Sequence, residues 1–137
     1  MRNKPRKIII DTNIFISFLI TKNYTQLNKF FFSKEWVLIF SIELIEELIE
    51  VSRRPKFRRF FSAADIEDLL TMLYNNGDFI DVKTEVAICR DPKDNFLLAL
   101  AIDGEAEFLL TGDQDLLVFG TYENTSIMSI SDFLKIK

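Results

Sequence analysis

The sequence contains no histidine and only one cysteine, Cys89. The first absence excludes Ser-His-Asp and Cys-His catalysis, His-ligated zinc, and a metal-independent ribonuclease built on two imidazoles. The second excludes an intramolecular disulfide and suits a reducing cytosol. Positive charge is also scarce: 17 Lys and Arg stand against 21 Asp and Glu, a net charge of −4. That balance argues against a general basic nucleic-acid binder but leaves room for local basic patches. No stretch approaches the ~20 uninterrupted apolar residues of a membrane span. The N-terminus is basic (Arg2, Lys4, Arg6, Lys7), but Asp11, Thr12 and Asn13 break the apolar run that follows, so it does not read as a secretory signal. Repeats, low-complexity segments and linkers are missing too. The expectation is one domain over residues 1–137, soluble and cytoplasmic, with no membrane partner. Its chemistry must come from carboxylates, hydroxyls, amides, Lys or Arg.

What is present is a core. Hydrophobic residues make up 48% of the 137, with 14 Phe among them, enough for an ordinary globular domain. Lys7-Ile8-Ile9-Ile10 reads as a short buried strand that ends abruptly on Asp11, and an apolar helical stretch follows to about Ile20. Residues 22–25 read as a polar loop and 26–33 as a short helix carrying Leu27, Phe30, Phe31 and Phe32. Residues 36–40 read as strand two. Ser41 is a good N-cap for a helix over 42–52, whose apolar stripe is Leu44, Ile45, Leu48 and Ile49. Glu43 and Glu50 fall mid-way across its polar face, whereas Glu46 and Glu47 lie at the two borders, where a carboxylate can enter a partly buried crevice.

Pro55 ends that helix. Arg53, Arg54, Lys56, Arg58 and Arg59 hold five of the 17 basic residues within seven positions. Ser62-Ala63-Ala64-Asp65 is a capping-box start for a helix with Ile66, Leu69, Leu70, Leu73 and Tyr74 at helical spacing, stopped by Asn76-Gly77. Strand three is expected over 79–82, followed by a connection to Arg90. Asp91-Pro92-Lys93-Asp94 starts the next helix, with Asp91 as N-cap and Asp94 in its first turn. Strand four is expected over 107–110, ending on Thr111-Gly112-Asp113-Gln114-Asp115, strand five over 125–128 and a closing helix over 131–136. Short apolar strands alternating with helices imply a mainly parallel sheet with right-handed crossovers.

Asp11 and Asp113 stand just beyond strand tips that share one edge of such a sheet, the edge where open α/β folds bind ligands. Asp94 and the border glutamates of the 42–52 helix belong near the same edge. Acidic groups without a local basic partner repel one another, and a divalent cation resolves the conflict. Oxygen-only ligation points to Mg²⁺ or Mn²⁺, less specifically to Ca²⁺. Taken singly, Asp94 also suits a helix N-terminus, Asp113 a turn or N-cap, and a helix glutamate plain solvation.

Four segments carry a resemblance: Ile10-Asp11-Thr12-Asn13-Ile14; Ser41-Ile42-Glu43-Leu44-Ile45-Glu46-Glu47-Leu48 with Arg54-Pro55-Lys56-Phe57; Arg90-Asp91-Pro92-Lys93-Asp94-Asn95; and Leu110-Thr111-Gly112-Asp113-Gln114-Asp115-Leu116-Leu117. In order and spacing the chain resembles PIN-domain proteins, in the VapC-like group of toxin components of toxin–antitoxin systems, from about Lys7 to Leu134. The resemblance implies a three-layer α/β/α fold with a five-stranded, mainly parallel sheet in the order 3-2-1-4-5. It implies Asp11, Glu47, Asp94 and Asp113 as catalytic metal ligands for Mg²⁺ or Mn²⁺. It selects Glu47 over Glu46, gives Asn13, Thr111 and Asp115 supporting positions, and leaves Asp91 as a cap. The reaction implied is endonucleolytic hydrolysis of RNA to a 5′-phosphate and a 3′-hydroxyl, with an antitoxin and a homodimeric second copy as protein partners. The basic residues 53–59 are candidates for RNA contact. A non-catalytic PIN-like RNA-binding or scaffold module is the alternative. An aspartyl-phosphate phosphatase is a third, but Asp11-Thr12-Asn13 lacks the second Asp of that pattern.

Overall fold

Three consecutive isoleucines set the centre of the molecule. In the computed structural model, which describes residues 5–136, Ile8, Ile9 and Ile10 of strand β1 (Arg6–Ile10) are at most 1% exposed. Arg2 and Lys4 of the basic N-terminus lie outside the described residues. A strand buried on both faces needs cover on both faces, and helices provide it. β1 pairs in parallel with β2 (Trp36–Phe40) on one side and β4 (Phe108–Leu110) on the other, with Ile8 opposite Leu38 and Ile10 opposite Leu110. β3 (Asp78–Phe79) extends the sheet beyond β2, and β6 (Thr125–Met128) beyond β4. The order of the described strands is β3-β2-β1-β4-β6-β5. This is the expected 3-2-1-4-5 sheet, with β6 as its fifth strand and a short antiparallel strand, β5 (Thr121–Tyr122), added at the edge. The winding reverses between β1 and β4, which makes the carboxyl ends of those two strands the switch point.

The helices are α1 (Thr12–Thr21), α2 (Tyr24–Phe31), α3 (Ile42–Ser52), α4 (Ala63–Asn76), α5 (Asn95–Asp103), α6 (Gln114–Leu117) and α7 (Ile130–Ile136). Together with the sheet they form the three-layer α/β/α fold. α2 begins two residues earlier than expected because the Asn23 side chain accepts the Gln26 N–H and caps it, which reduces the loop to Lys22 and Asn23. Ser41 caps α3 by accepting the Leu44 N–H, and Ser62 with Asp65 forms the reciprocal capping box of α4. At the end of α4, Gly77 acts through close approach rather than left-handed backbone. A Cβ there would sit 2.7 Å from the Leu38 carbonyl oxygen and 2.9 Å from that of Leu73.

β3 is shorter than expected: it covers Asp78–Phe79, with the Ile80 N–H adding one more bond to the Phe40 carbonyl. Beyond it the backbone is captured from another element. Asp103, at the end of α5, accepts the N–H groups of Lys83 (2.6 Å) and Thr84 (2.8 Å) and the Thr84 hydroxyl. Against the amino-terminal ends of β2 and β4, Phe133 of α7, fully buried, packs on Trp36 and Phe108 and on Phe30 of α2 and closes the core.

Candidate metal centre

Parallel pairing delivers Asp11 and Thr111 to adjacent positions. The Asp11 N–H continues the β1–β4 ladder to the Leu110 carbonyl, and the Thr111 N–H bonds to Met128 beyond the end of β4. The Thr111 hydroxyl, fully buried, donates to Asp11 Oδ2 at 2.7 Å and accepts the Asp113 N–H at 3.0 Å. One side chain thus fixes both strand-tip aspartates. On the other side, the Thr12 hydroxyl donates to Glu47 Oε1 at 2.6 Å. Glu47 is half-buried and Glu46 exposed, so the structure turns only one of the two border glutamates toward the crevice.

Asp94 enters from a third direction. Asp91 accepts the Lys93 N–H and caps a single 3₁₀ turn over Pro92–Asp94, which hands the chain to α5. Asp94 therefore stands at the N-terminal end of an apolar, buried helix, beside α6. Asp94, Asp113 and Asp115 each offer a carboxylate oxygen, and these atoms all lie within 4.8 Å of one another. Asp94 Oδ2 is buried with no hydrogen-bond partner, an expensive state for a carboxylate oxygen.

The electrostatics follow from this crowding. Asp11 is 6% exposed. Burial pushes its pKa up to about 6, and the charges of Glu47 and Asp113 push the same way, against hydrogen bonding from Thr111 and Thr12. Asp94 is pushed up to about 7, first by burial, then by the Asp113 carboxylate beside it and the charges of Asp11 and Asp91. Among the described residues none of Asp11, Glu47, Asp94 and Asp113 has a Lys or Arg in ion-pair contact. A hard divalent cation fits this donor set, because every donor is an oxygen, the charge is uncompensated and one buried oxygen lacks a partner.

Against these observations the family can be assigned. A family model described as PIN domain matches residues 7–115. The chain belongs to the PIN-domain family. It is also 31% identical over 114 residues, 81% of this chain and 73% of the relative, to the uncharacterized protein MJ1680 of Methanocaldococcus jannaschii. A PIN domain is a nuclease-type fold, and its members are generally metal-dependent nucleases. In this PIN domain the acidic cluster is where a divalent metal could bind.

Of the residues expected from sequence, Asp94, Asp113 and Asp115 form the tightest group, while Asp11 and Glu47 join through Thr111, Thr12 and their mutual charge. Asp115 is closer to the centre than a supporting position suggests. Asp113 is also an N-cap, accepting the Asp115 N–H at 2.9 Å. The plain reading of Asp113 as an N-cap thus holds. Asn13 is exposed on the first turn of α1. Of the basic segment, Arg53, Arg54, Lys56, Arg58 and Arg59 are all exposed around a 3₁₀ turn at Pro55–Phe57. Lys22 Nζ, at the far end of α1, donates to the Phe60 carbonyl at 3.1 Å. The basic segment therefore lies by the distal end of α1, and at 1.5 Å per residue that helix is ~15 Å long.

Two site residues escape sequence reasoning. Thr12 reads as a helix start, and only its 2.6 Å bond to Glu47 reveals that it orients a carboxylate. Arg90 reads as the end of a connection, but its Nε and Nη2 grip both oxygens of Asp115 at 2.8 and 2.9 Å. Its position next to Asp91-Pro92 was the available signal.

Proposed function

We propose that this PIN domain is a Mg²⁺- or Mn²⁺-dependent endoribonuclease and the toxin of a toxin–antitoxin pair. The observation that carries the reading is Asp94 Oδ2, buried and without a partner in the middle of an all-oxygen carboxylate group at the sheet's switch point. Asp94, Asp113, Asp11 and Glu47 are the residues that would hold the cation. When bound, the cation supplies Lewis-acid polarisation of a phosphodiester and activation of water. The chain's own part is preorganisation. Thr111 holds Asp11 in place and ties Asp113 to it, and Thr12 aims Glu47.

RNA is the proposed substrate, with the exposed cations of residues 53–59 as distal phosphate contacts that offset the acidic site. The protein partners proposed are an antitoxin that covers the acidic edge and a second copy of this chain. The test is incubation of the purified protein with pooled RNA in Mg²⁺ or Mn²⁺. Wild type is expected to release fragments with 5′-phosphate ends, and EDTA or Asp11→Asn to abolish them. Cleavage that survives in Asp11→Asn would overturn the reading. Growth arrest on induction of wild type but not of Asp11→Asn tests the toxin role.

A further inference from the structure

Among the described residues one guanidinium, that of Arg90, is ion-paired at the rim of the proposed nuclease site, and its geometry is that of a shared ligand. Arg90 binds Asp115 side-on, through Nε and Nη2, to both carboxylate oxygens. A guanidinium carries five N–H groups in a rigid plane. This mode commits two, leaving one on Nη2 and both on Nη1. The Arg90 side chain is 82% exposed while the Asp115 side chain is 21% exposed, so the uncommitted edge of the fork faces solvent. The backbone on either side is fixed. The Cys89 N–H bonds to Asn95 Oδ1 at 2.9 Å, and Asp91 caps the turn that follows. Asp115 in turn lies within the 4.8 Å carboxylate group with Asp94 and Asp113.

We infer that Arg90 is a phosphate-positioning residue for the proposed RNA cleavage, holding Asp115 with one edge and a non-bridging phosphate oxygen of the RNA with the other. The inference rests on the nuclease reading of the same site. As a stability device the pair has little purpose, since exposed ion pairs contribute little. As a device for presenting a fixed, planar cation at the lip of an acidic crevice it has a clear one, because a polyanion approaching uncompensated carboxylates is otherwise repelled. Among the described residues Arg90 is the only cation in ion-pair contact with the carboxylate group.

The experiment has two arms. In the first, cleavage of a fluorescent RNA in Mn²⁺ is compared for wild type, Arg90→Ala, Arg90→Lys and Asp115→Asn. Arg90→Ala is expected to raise KM about tenfold with the Mn²⁺ dependence unchanged, and Arg90→Lys to recover part of it. In the second arm, RNA binding is measured against salt in the cleavage-deficient Asp11→Asn background. Adding Arg90→Ala is expected to reduce the salt slope by about 0.7, one single-strand phosphate contact, whereas adding Asp115→Asn is expected to leave it. A wild-type KM with an unchanged slope overturns the inference, as does a weakened Mn²⁺ dependence with an unchanged slope, which would make Arg90 a strut for Asp115. If wild-type protein cleaves no RNA, the nuclease reading fails, and the binding arm still decides for or against the Arg90 contact.

Discussion

Hydrogen bonds from Thr111, Thr12 and the Asp115 N–H hold Asp11, Glu47 and Asp113, while the buried Asp94 Oδ2 has no partner. Thr111 donates to Asp11 and so favours its ionised form, yet burial and the neighbouring acids win, and the pKa stands at about 6. A folded-state pKa above the ordinary carboxylate value means that the fold favours the protonated form. That contribution is complete below about pH 4 and is lost as pH rises through 6. In EDTA, the wild-type protein should therefore lose stability from about pH 4 to about pH 7. Asp11→Asn removes the charge and keeps an oxygen for Thr111 to donate to, so it should be more stable than wild type at pH 8 by on the order of 2–3 kcal/mol, and near parity at pH 4. Thermal melts of the two proteins across this range decide the point; parallel curves would contradict it. Asp11 itself was legible in the sequence, because a strand of three isoleucines that ends on a carboxylate has no packing use for it. The identity of its hydroxyl partner was not, since Thr111 lies 100 residues away.

Between elements, the sequence pattern reached the right helix face but not the choice made on it. Helical spacing puts Glu46 and Glu47 at the two borders of the α3 stripe without separating them; the family resemblance selects Glu47, and in the structure Thr12 on α1 bonds to it. Glu47→Gln is expected to lower cleavage at least a hundredfold and Glu46→Gln by less than twofold, compared by kcat/KM; equal effects would remove Glu47 from the site. β3 shows the same limit in a strand. Its apolar residues continue to Val82, but the parallel pairing with β2 ends at Phe79, and Asp103 holds the backbone just beyond, at Lys83 and Thr84. β5 has two residues, too few for any periodicity. Gly77 was legible as a stop, but for a different reason from the one that operates. With carbonyl oxygens 2.7 and 2.9 Å from a would-be Cβ, Gly77→Ala is expected to destabilise the fold by roughly 1–3 kcal/mol, as overpacking does. Denaturant unfolding measures this, and an unchanged midpoint would contradict the close approach.

Over the whole molecule, acidic chemistry and the proposed polyanionic substrate have to be reconciled. The proposed solution separates them, with carboxylates at the switch point and the cations of residues 53–59 near the distal end of α1. Arg58→Ala with Arg59→Ala is expected to weaken RNA binding several-fold and to lower the salt slope by more than Arg90→Ala alone, without changing Mn²⁺ dependence. An unchanged slope would assign the segment to ordinary surface. The fold could be read nearly complete from alternating strands and helices, because that pattern is set by local burial. The carboxylate group could be read only as candidates at one edge, because its distances depend on how four separate segments meet. The central claim is that this meeting makes a metal-dependent nuclease. Its most direct test is the rate of RNA cleavage against Mn²⁺ concentration at pH 8, for wild type and Asp94→Asn. Saturable, EDTA-sensitive cleavage by wild type and at least a hundredfold loss in Asp94→Asn at every concentration is the predicted result. Cleavage that is independent of Mn²⁺, or equal in the two proteins, would contradict it.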